Sequence, residues 1–524
     1  MTDQETQNLF MNTAVQTDFP SGQLLRSQDR LAPCVFVVFG ASGDLATRKL
    51  FPALYHLFSA DHLPDHFGII GCSRTTFDDS AFQDRIRRIL PTPTDELPDR
   101  RDDFVRKIRY QTLVYDNLQD YDSLSHRLES INASFGTQGN RLFYLAVPPQ
   151  LYPVISTMLG RSGLAREKDR HHEWSRIVLE KPFGHDLPSA LELSDVLHEH
   201  FSEHQIFRID HYLAKETVQN LLMFRFANTI FEPLWNRNYI EYVSISAAET
   251  LGVEKRAGYY EQAGVIRDMF QNHMMQLLSL VAMEAPSRFQ DESVRDDKTK
   301  VFNSLRPFEL QGRFRDLVLG QYGPGNIDHH AVPGYRQEEG VAPDSLTPTF
   351  AFLRSYIDNW RWQGVPFYIC SGKRLSRKLT RIVIQFKDVP HSMFRHILGE
   401  KISSNRLILG IQPDEVINLT LQTKSPGMSS FLRTVTMRFD YNHEAEKSRL
   451  KDAYEKVLMD CLLGDQMLFW RQDAVKRCWA YLTPILEMCE SCGDRAQHLH
   501  LYPAGTWGPK EVEATYENYL QDHI

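Results

Sequence analysis

The apolar positions of this chain follow two spacing styles, and the change falls near residue 206. Before it they gather in short unbroken runs, at residues 34–39, 67–71, 142–147 and 176–179. Runs of that length without polar alternation predict strands buried on both faces, as in a parallel sheet between helices. After the first run, Leu45, Leu50, Leu54 and Leu57 recur at helical spacing. Residues 187–204 predict a further helix with Pro188 in its first turn, where a missing N–H costs nothing. Beyond Ile206 the pattern alternates. Residues 216–231 form an amphipathic stretch with Val218, Leu221, Leu222 and Phe226 toward a core. Residues 239–247, 381–386, 415–422 and 434–441 read as strands without regular intervening helices. They predict a largely antiparallel sheet covered by helices on one side, with more helix at 451–469 and 472–488.

The turn after the first run narrows the fold class. Gly40 and Gly43 stand where the backbone must turn sharply, and the helix that follows offers its first N–H groups to a phosphate. The spacing is G-x-x-G-x-x-A rather than G-x-G-x-x-G, so a plain strand–helix turn would also satisfy it. Arg74, at the end of the second run, adds to the dinucleotide reading. An acidic residue there would take a ribose 2′-hydroxyl, whereas Arg pairs with the 2′-phosphate of NADP. Arg48 and Lys49 lie near enough to add charge, although a solvated surface Arg fits the same position. The expected organisation is a lead-in over residues 1–30 and a Rossmann-type α/β domain over 31–205. A larger α+β domain of mainly antiparallel sheet follows over 206–524.

Composition agrees with two domains in 524 residues, with 42% hydrophobic and 24% charged positions. No apolar run reaches the roughly 18 residues needed to cross a bilayer, and the opening residues lack the basic-then-apolar order of a signal peptide. A net charge of −8 opposes nucleic acid and anionic membranes. Any anionic substrate therefore needs a local basic pocket. Seven scattered cysteines suit reduced thiols in the cytoplasm. Cys489 and Cys492 have redox spacing but no βαβ unit beside them, and no metal site is expected.

Candidate chemistry concentrates in three places. In the segment 207–216, His211, Tyr212 and Lys215 supply imidazole, phenol and ammonium donors within five residues, a set suited to a phosphate. Asp210 is placed to orient a histidine. A solvated helix start would use the same residues. In the segment 256–273, Asp268 and His273 are five apart, which on an α-helix separates them by about 140°, too far to share a narrow face although both can border one pocket. An alcohol oxidation needs a base for the hydroxyl proton, and histidine titrates in the right range; a polar edge or core histidine is the plainer alternative. Lys181 follows the run 176–179 at a strand end, where ligands bind in open α/β sheets. Glu249, at the end of the strand 239–247, is suited to sugar hydroxyls. The basic turn Lys373, Arg374, Arg377 and Lys378 would suit a phosphate or simply a hairpin tip.

Taken together, the blocks GASGDLATRKL, RIVLEKPFG, RIDHYLAKETVQN, AGYYEQAGVIRDMFQNHMMQ, VPFYICSGKRLSRK and GPKEVEA resemble the glucose-6-phosphate 1-dehydrogenase family over residues 31–515. That resemblance implies oxidation of D-glucose 6-phosphate by NADP at C1 to 6-phospho-D-glucono-1,5-lactone, the first oxidative step of the pentose phosphate pathway. It implies His273 as general base, Asp210 as its orienter, and Lys181 between sugar and nicotinamide. His211, Tyr212 and Lys215 would hold the 6-phosphate, with Glu249, Asp268 and Lys373 on the sugar and Lys378 nearby. Gly40, Ser42, Gly43, Asp44 and Leu45 would border the dinucleotide, with its 2′-phosphate on Arg74 and on Arg48 or Lys49. A cytoplasmic homodimer or homotetramer is implied as well. Two positions depart from the pattern. Thr47 stands where a basic residue is usual, and Gly410, two before Gln412, replaces the Arg that holds a second, structural NADP in some animal relatives.

Overall fold

The computed structural model describes residues 31–92, 99–308, 316–391, 402–426, 432–440, 453–491 and 495–515. The expected lead-in at 1–30 lies outside the described residues, as does Cys492.

Six parallel strands form the first sheet: β1 (Cys34–Phe39), β2 (Phe67–Ser73), β3 (Ile108–Thr112), β4 (Arg141–Leu145), β5 (Ser175–Leu179) and β6 (Ile206–Arg208). Their order is β3-β2-β1-β4-β5-β6, the doubly wound arrangement that opens a crevice where the connections leaving the paired β1 and β4 diverge. Every residue of β1, β2 and β5 is buried, which explains their unbroken apolar runs. β3 and β6 escaped the sequence reading: β3 is an edge strand of mixed composition, and β6 is only three residues long. The sheet continues through Arg208, three residues past the division expected at 205. The helix expected over 187–204 is Leu187–His198, capped by Asp186, and a single 3₁₀ turn at Glu203–Gln205 leads into β6.

Among the described residues the second sheet has nine strands: β7 (Ile240–Ala248), β8 (Leu317–Gly323), β11 (Phe350–Tyr356), β12 (Pro366–Gly372), β13 (Leu379–Phe386), β14 (Arg406–Gln412), β15 (Val416–Lys424), β16 (Leu432–Asp440) and β17 (Leu499–Pro503), with a small hairpin of β9 (Gly325–Ile327) and β10 (His330–Val332) beside it. The order is β16-β15-β14-β13-β7-β12-β11-β8-β17. Only the β7–β12 and β8–β17 pairs are parallel. Helices Ala257–Val265, Met275–Ala282, Asp291–Asn303 and Gln472–Ser491 supply the covering layer.

The chain returns late to its first half. Helix Ala453–Leu463, shorter than the 451–469 expected, buries Val457, Leu458, Cys461 and Leu462 in the same core as Leu54 and Phe58. Arg176 stacks on Trp174 at 4.0 Å and donates to the carbonyls of Cys461 and Leu462, each at 2.7 Å. No helix among the described residues is long and apolar enough to cross a membrane.

Candidate active site

The site lies where β5 and β6 end and helix 257–282 crosses over them. That helix is not uniform. Gly264, at φ +56°, kinks it one residue before Val265, and residues Ile266–Met274 then wind as a π-helix. Hydrogen bonding from i to i+5 widens the turn, so residues five apart fall near one face. The α-helical expectation that Asp268 and His273 are well separated is therefore corrected. A single ammonium, Lys181 Nζ, reaches both: it lies 2.9 Å from His273 Nε2, 3.1 Å from the Asp268 carbonyl and 3.7 Å from Asp268 Oδ1.

Behind the ring, His273 Nδ1 donates to Asp210 Oδ1 at 2.5 Å, and the Tyr212 amide donates to the same oxygen at 3.0 Å. His273 and Asp210 are almost fully buried, at 1% and 2% exposure. Burial, with the neighbouring Lys181 charge, outweighs Asp210 and holds the imidazole below its ordinary pKa. Burial pushes the Asp210 carboxyl the other way, yet His273, His211 and Lys181 prevail and hold it at about 2. The pair is thus carboxylate and neutral imidazole, with Nδ1 carrying the proton and the Nε2 lone pair facing the pocket. Tyr212 stacks on the His273 ring with centroids 3.9 Å apart, and His211 meets it edge-on at 4.8 Å. Burial, with the Lys181 charge beside it, keeps His211 neutral, down at about 3.

Two subsites flank this centre. On one side Lys215 hydrogen-bonds Gln412 and sits over the Tyr212 ring at 4.4 Å. Burial and the nearby Lys378 charge pull its ammonium down to about 8, and Glu415 opposes them. Two ammonium groups forced together with a phenol and an amide make a receptor for a dianion. On the other side Lys373 Nζ pairs with Glu249 Oε2 at 2.5 Å and rests on the Tyr260 ring at 5.1 Å. Asp268, buried, is kept ionised against its burial by Lys181, Lys373 and Arg256. The turn containing Lys373 begins as β12 ends, and Glu249 follows the neighbouring β7, so parallel pairing of those strands brings them together. Sequence reading passed over Gln412, Thr380, Glu415 and Tyr259. Thr380 lies beside the Tyr212 side chain, and Tyr259 donates to Asp268 at 3.5 Å. They arrive on strands and a helix far away in the chain, and only the Tyr259 segment carried a local signal.

The dinucleotide-type turn sits at the head of β1. Gly40 adopts φ +75°, and a Cβ there would lie 2.2 Å from the Ala146 carbonyl oxygen of the loop after β4. Only glycine lets the two chain segments approach so closely. Ser42 is tied to β2 through Ser73 at 3.0 Å, and Arg85 donates to the Ser42 carbonyl at 3.1 Å. This backbone cradle, opening at the C-terminal ends of the paired β1 and β4, fits a pyrophosphate. Gly43 and Asp44 are exposed at its mouth, and Leu45 is partly covered. Arg74 is exposed at the end of β2, near the Tyr115 ring at 5.9 Å. Arg48 lies on the same rim but pairs with Asp44 at 2.7 Å, and Lys49 is exposed beside it.

The comparisons with known proteins point one way. Residues 37–220 match the family model described as the glucose-6-phosphate dehydrogenase NAD binding domain, and residues 222–523 match its C-terminal domain. The chain is 45% identical to the glucose-6-phosphate 1-dehydrogenase of Aggregatibacter actinomycetemcomitans, covering 92% of this chain and 95% of that one. It is 44% identical to the Treponema pallidum enzyme, over 92% and 93% of the two chains. Among solved structures, a glucose-6-phosphate dehydrogenase in complex with glucose-6-phosphate superposes with a TM-score of 0.85 at 35% identity, covering 93% of this chain and 98% of that one. The Mycobacterium avium enzyme gives 0.77 at 30% identity, with the same coverages.

Proposed function

Because this chain belongs to the glucose-6-phosphate dehydrogenase family, we propose that His273 is the general base of its reaction and that NADP is its preferred cofactor. The enzyme is an oxidoreductase that converts D-glucose 6-phosphate to 6-phospho-D-glucono-1,5-lactone with a nicotinamide dinucleotide. The observation that carries the residue assignment is the line Asp210–His273–Lys181, with separations of 2.5 and 2.9 Å, at the C-terminal edge of the parallel sheet.

His273 Nε2 takes the proton of the C1 hydroxyl, and Asp210 stabilises the imidazolium that forms. Lys181 donates to O1 as negative charge develops there, and it holds the ring oxygen side of the sugar in register with β5. Lys215, His211, Tyr212 and Lys378 receive the 6-phosphate. Glu249, Asp268 and Lys373 meet the sugar hydroxyls. The bound nicotinamide supplies the acceptor for the hydrogen and two electrons leaving C1. Gly40, Ser42, Gly43, Asp44 and Leu45 cradle its pyrophosphate, and Lys181 borders the nicotinamide end.

The NADP preference rests on Arg74 at the end of β2, with Lys49 and Arg48 on the same rim. A guanidinium pairs with a phosphate by charge-assisted, often bidentate, hydrogen bonds. We place the division between dinucleotide and substrate domains just after β6. Assembly as a homodimer or homotetramer is supported by the outer strand β16, where Met437 and Phe439 are exposed, and the cytoplasm is supported by the buried thiols of Cys34, Cys72, Cys461 and Cys478. The test is kcat/KM for NADP and NAD at saturating glucose 6-phosphate, followed by the absorbance of the reduced nicotinamide, for wild type and Arg74→Ala. NADP efficiency should fall at least about tenfold more than NAD efficiency, a difference of about 1.4 kcal/mol. Equal losses with both cofactors would remove Arg74 from the 2′-phosphate site.

A further inference from the structure

Behind the base lies a charged group that the reaction as described does not use. Lys298, on helix Asp291–Asn303, is buried to 2% exposure, and its ammonium has no hydrogen-bond partner among the described residues. Asp210 Oδ2, the carboxylate oxygen that His273 and Tyr212 leave aside, is likewise buried and without a partner. The fold brings these two orphaned groups to one place without direct contact: Phe302 of the same helix stacks on Trp470 at 5.6 Å, and Trp470 bridges to Arg208, two residues before Asp210; of the charges around Lys298, Asp210 acts on it most strongly. A buried ammonium with no hydrogen bond costs stability, and Met or Leu would fill the same space without that cost. Groups held against stability cluster where function needs them.

We propose that Lys298 is a positioning residue for proton abstraction, its buried ammonium acting on the Asp210 carboxylate without a direct hydrogen bond so that Oδ1 stays ionised for His273 Nδ1. It rests on the assignment of His273 as base. Lys298 touches neither subsite residue group, so its influence passes through Asp210.

The charges that meet at this place come from several elements. Lys298 faces Arg295 on its own helix, Arg471 from the segment before helix Gln472–Ser491, and Asp210 after β6. Asp210 in turn faces His273, His211, Lys181 and Glu180, and His273 faces Lys181 and Asp268. Burial pulls the Lys298 ammonium down to about 7, and the Asp210 charge opposes that fall. The sign of its effect follows. A cation beside Asp210 stabilises the carboxylate and disfavours a second positive charge on His273. Removing it raises the pKa of His273, so the neutral base appears only at higher pH.

The test compares Lys298→Met, Lys298→Arg and His273→Asn with wild type, by thermal melting and by the pH profiles of kcat and kcat/KM. Lys298→Met should melt higher than wild type, lower kcat about tenfold with little change in KM for glucose 6-phosphate, and move the acid limb of kcat/KM upward. Lys298→Arg, which keeps the charge, should restore the position of that limb. A Lys298→Met enzyme with wild-type kcat and limb overturns the proposal. So does one that fails to fold or melts lower, because the ammonium would then be structural, and so does an equal limb shift in both Lys298 variants. Wild-type kcat in His273→Asn would instead sink the base assignment itself, whereas a large loss there with an unaffected Lys298→Met sinks this inference alone.

Discussion

Asp210→Asn is the sharpest perturbation of the site, because it changes one atom and leaves the volume alone. The carboxylate accepts from His273 Nδ1 at 2.5 Å in surroundings that water barely reaches. Before the reaction His273 is neutral, so the substrate-bound ground state loses only a hydrogen bond to an ion. In the transition state the ring becomes an imidazolium, and the loss grows to that of a buried charge without its counter-ion. Breaking such a pair from one side costs about 3–5 kcal/mol. At 1.36 kcal/mol per decade this lowers kcat roughly 10²–10⁴-fold. KM for glucose 6-phosphate should change little, because the lost interaction strengthens only as the proton moves. The pH profile supplies a second signature. Asp210 raises the pKa of His273 against the lowering by burial and Lys181. Without it the base stays neutral to lower pH, and the acid limb of kcat/KM moves down, opposite to the shift expected from Lys298→Met. Steady-state kinetics across pH, with circular dichroism to show that the variant is folded, measures both. A kcat within a few-fold of wild type, or a limb that moves upward, would refute the reasoning.

Lys215→Ala should weaken glucose 6-phosphate far more than free glucose if, as proposed, Lys215 and Lys378 receive the 6-phosphate; a KM series for both sugars reads it, and equal losses would contradict the assignment. Acid stability has its own signature at Glu203, where burial is outweighed by Arg208 and His198, holding its pKa at about 2 against an ordinary 4.5. A depressed carboxylate contributes stability that is present above pH 4.5 and lost as the pH falls toward 2, here about 3 kcal/mol. Glu203→Gln should therefore flatten the fall of stability between those pH values in urea unfolding, and an unchanged slope would show that the pairing with Arg208 at 2.7 Å is not coupled to folding.

Local structure was written in the chain alone. The unbroken run at β1 followed by Gly40 announced a buried parallel strand and a tight turn, because burial on both faces and a positive φ each demand particular residues at adjacent positions. The segment carrying Asp210, His211, Tyr212 and Lys215 was legible for the same reason: its groups come from one stretch of chain. Tertiary structure decided the rest. Asp268 and His273 face one ammonium only because the helix that carries them widens to a π-helix, and periodicity read as α-helical places them apart. Glu249 and Lys373 are 124 residues apart and meet because β7 and β12 pair in parallel, a register that no local pattern encodes. Gln412 and Thr380 reach Lys215 and Tyr212 from β14 and β13 by antiparallel pairing. Lys298 offered nothing in sequence but a lysine on a polar helix. Its importance arises from what surrounds it, because a charge is ordinary in water and costly in a core, and only the packing of distant segments decides which of the two it meets.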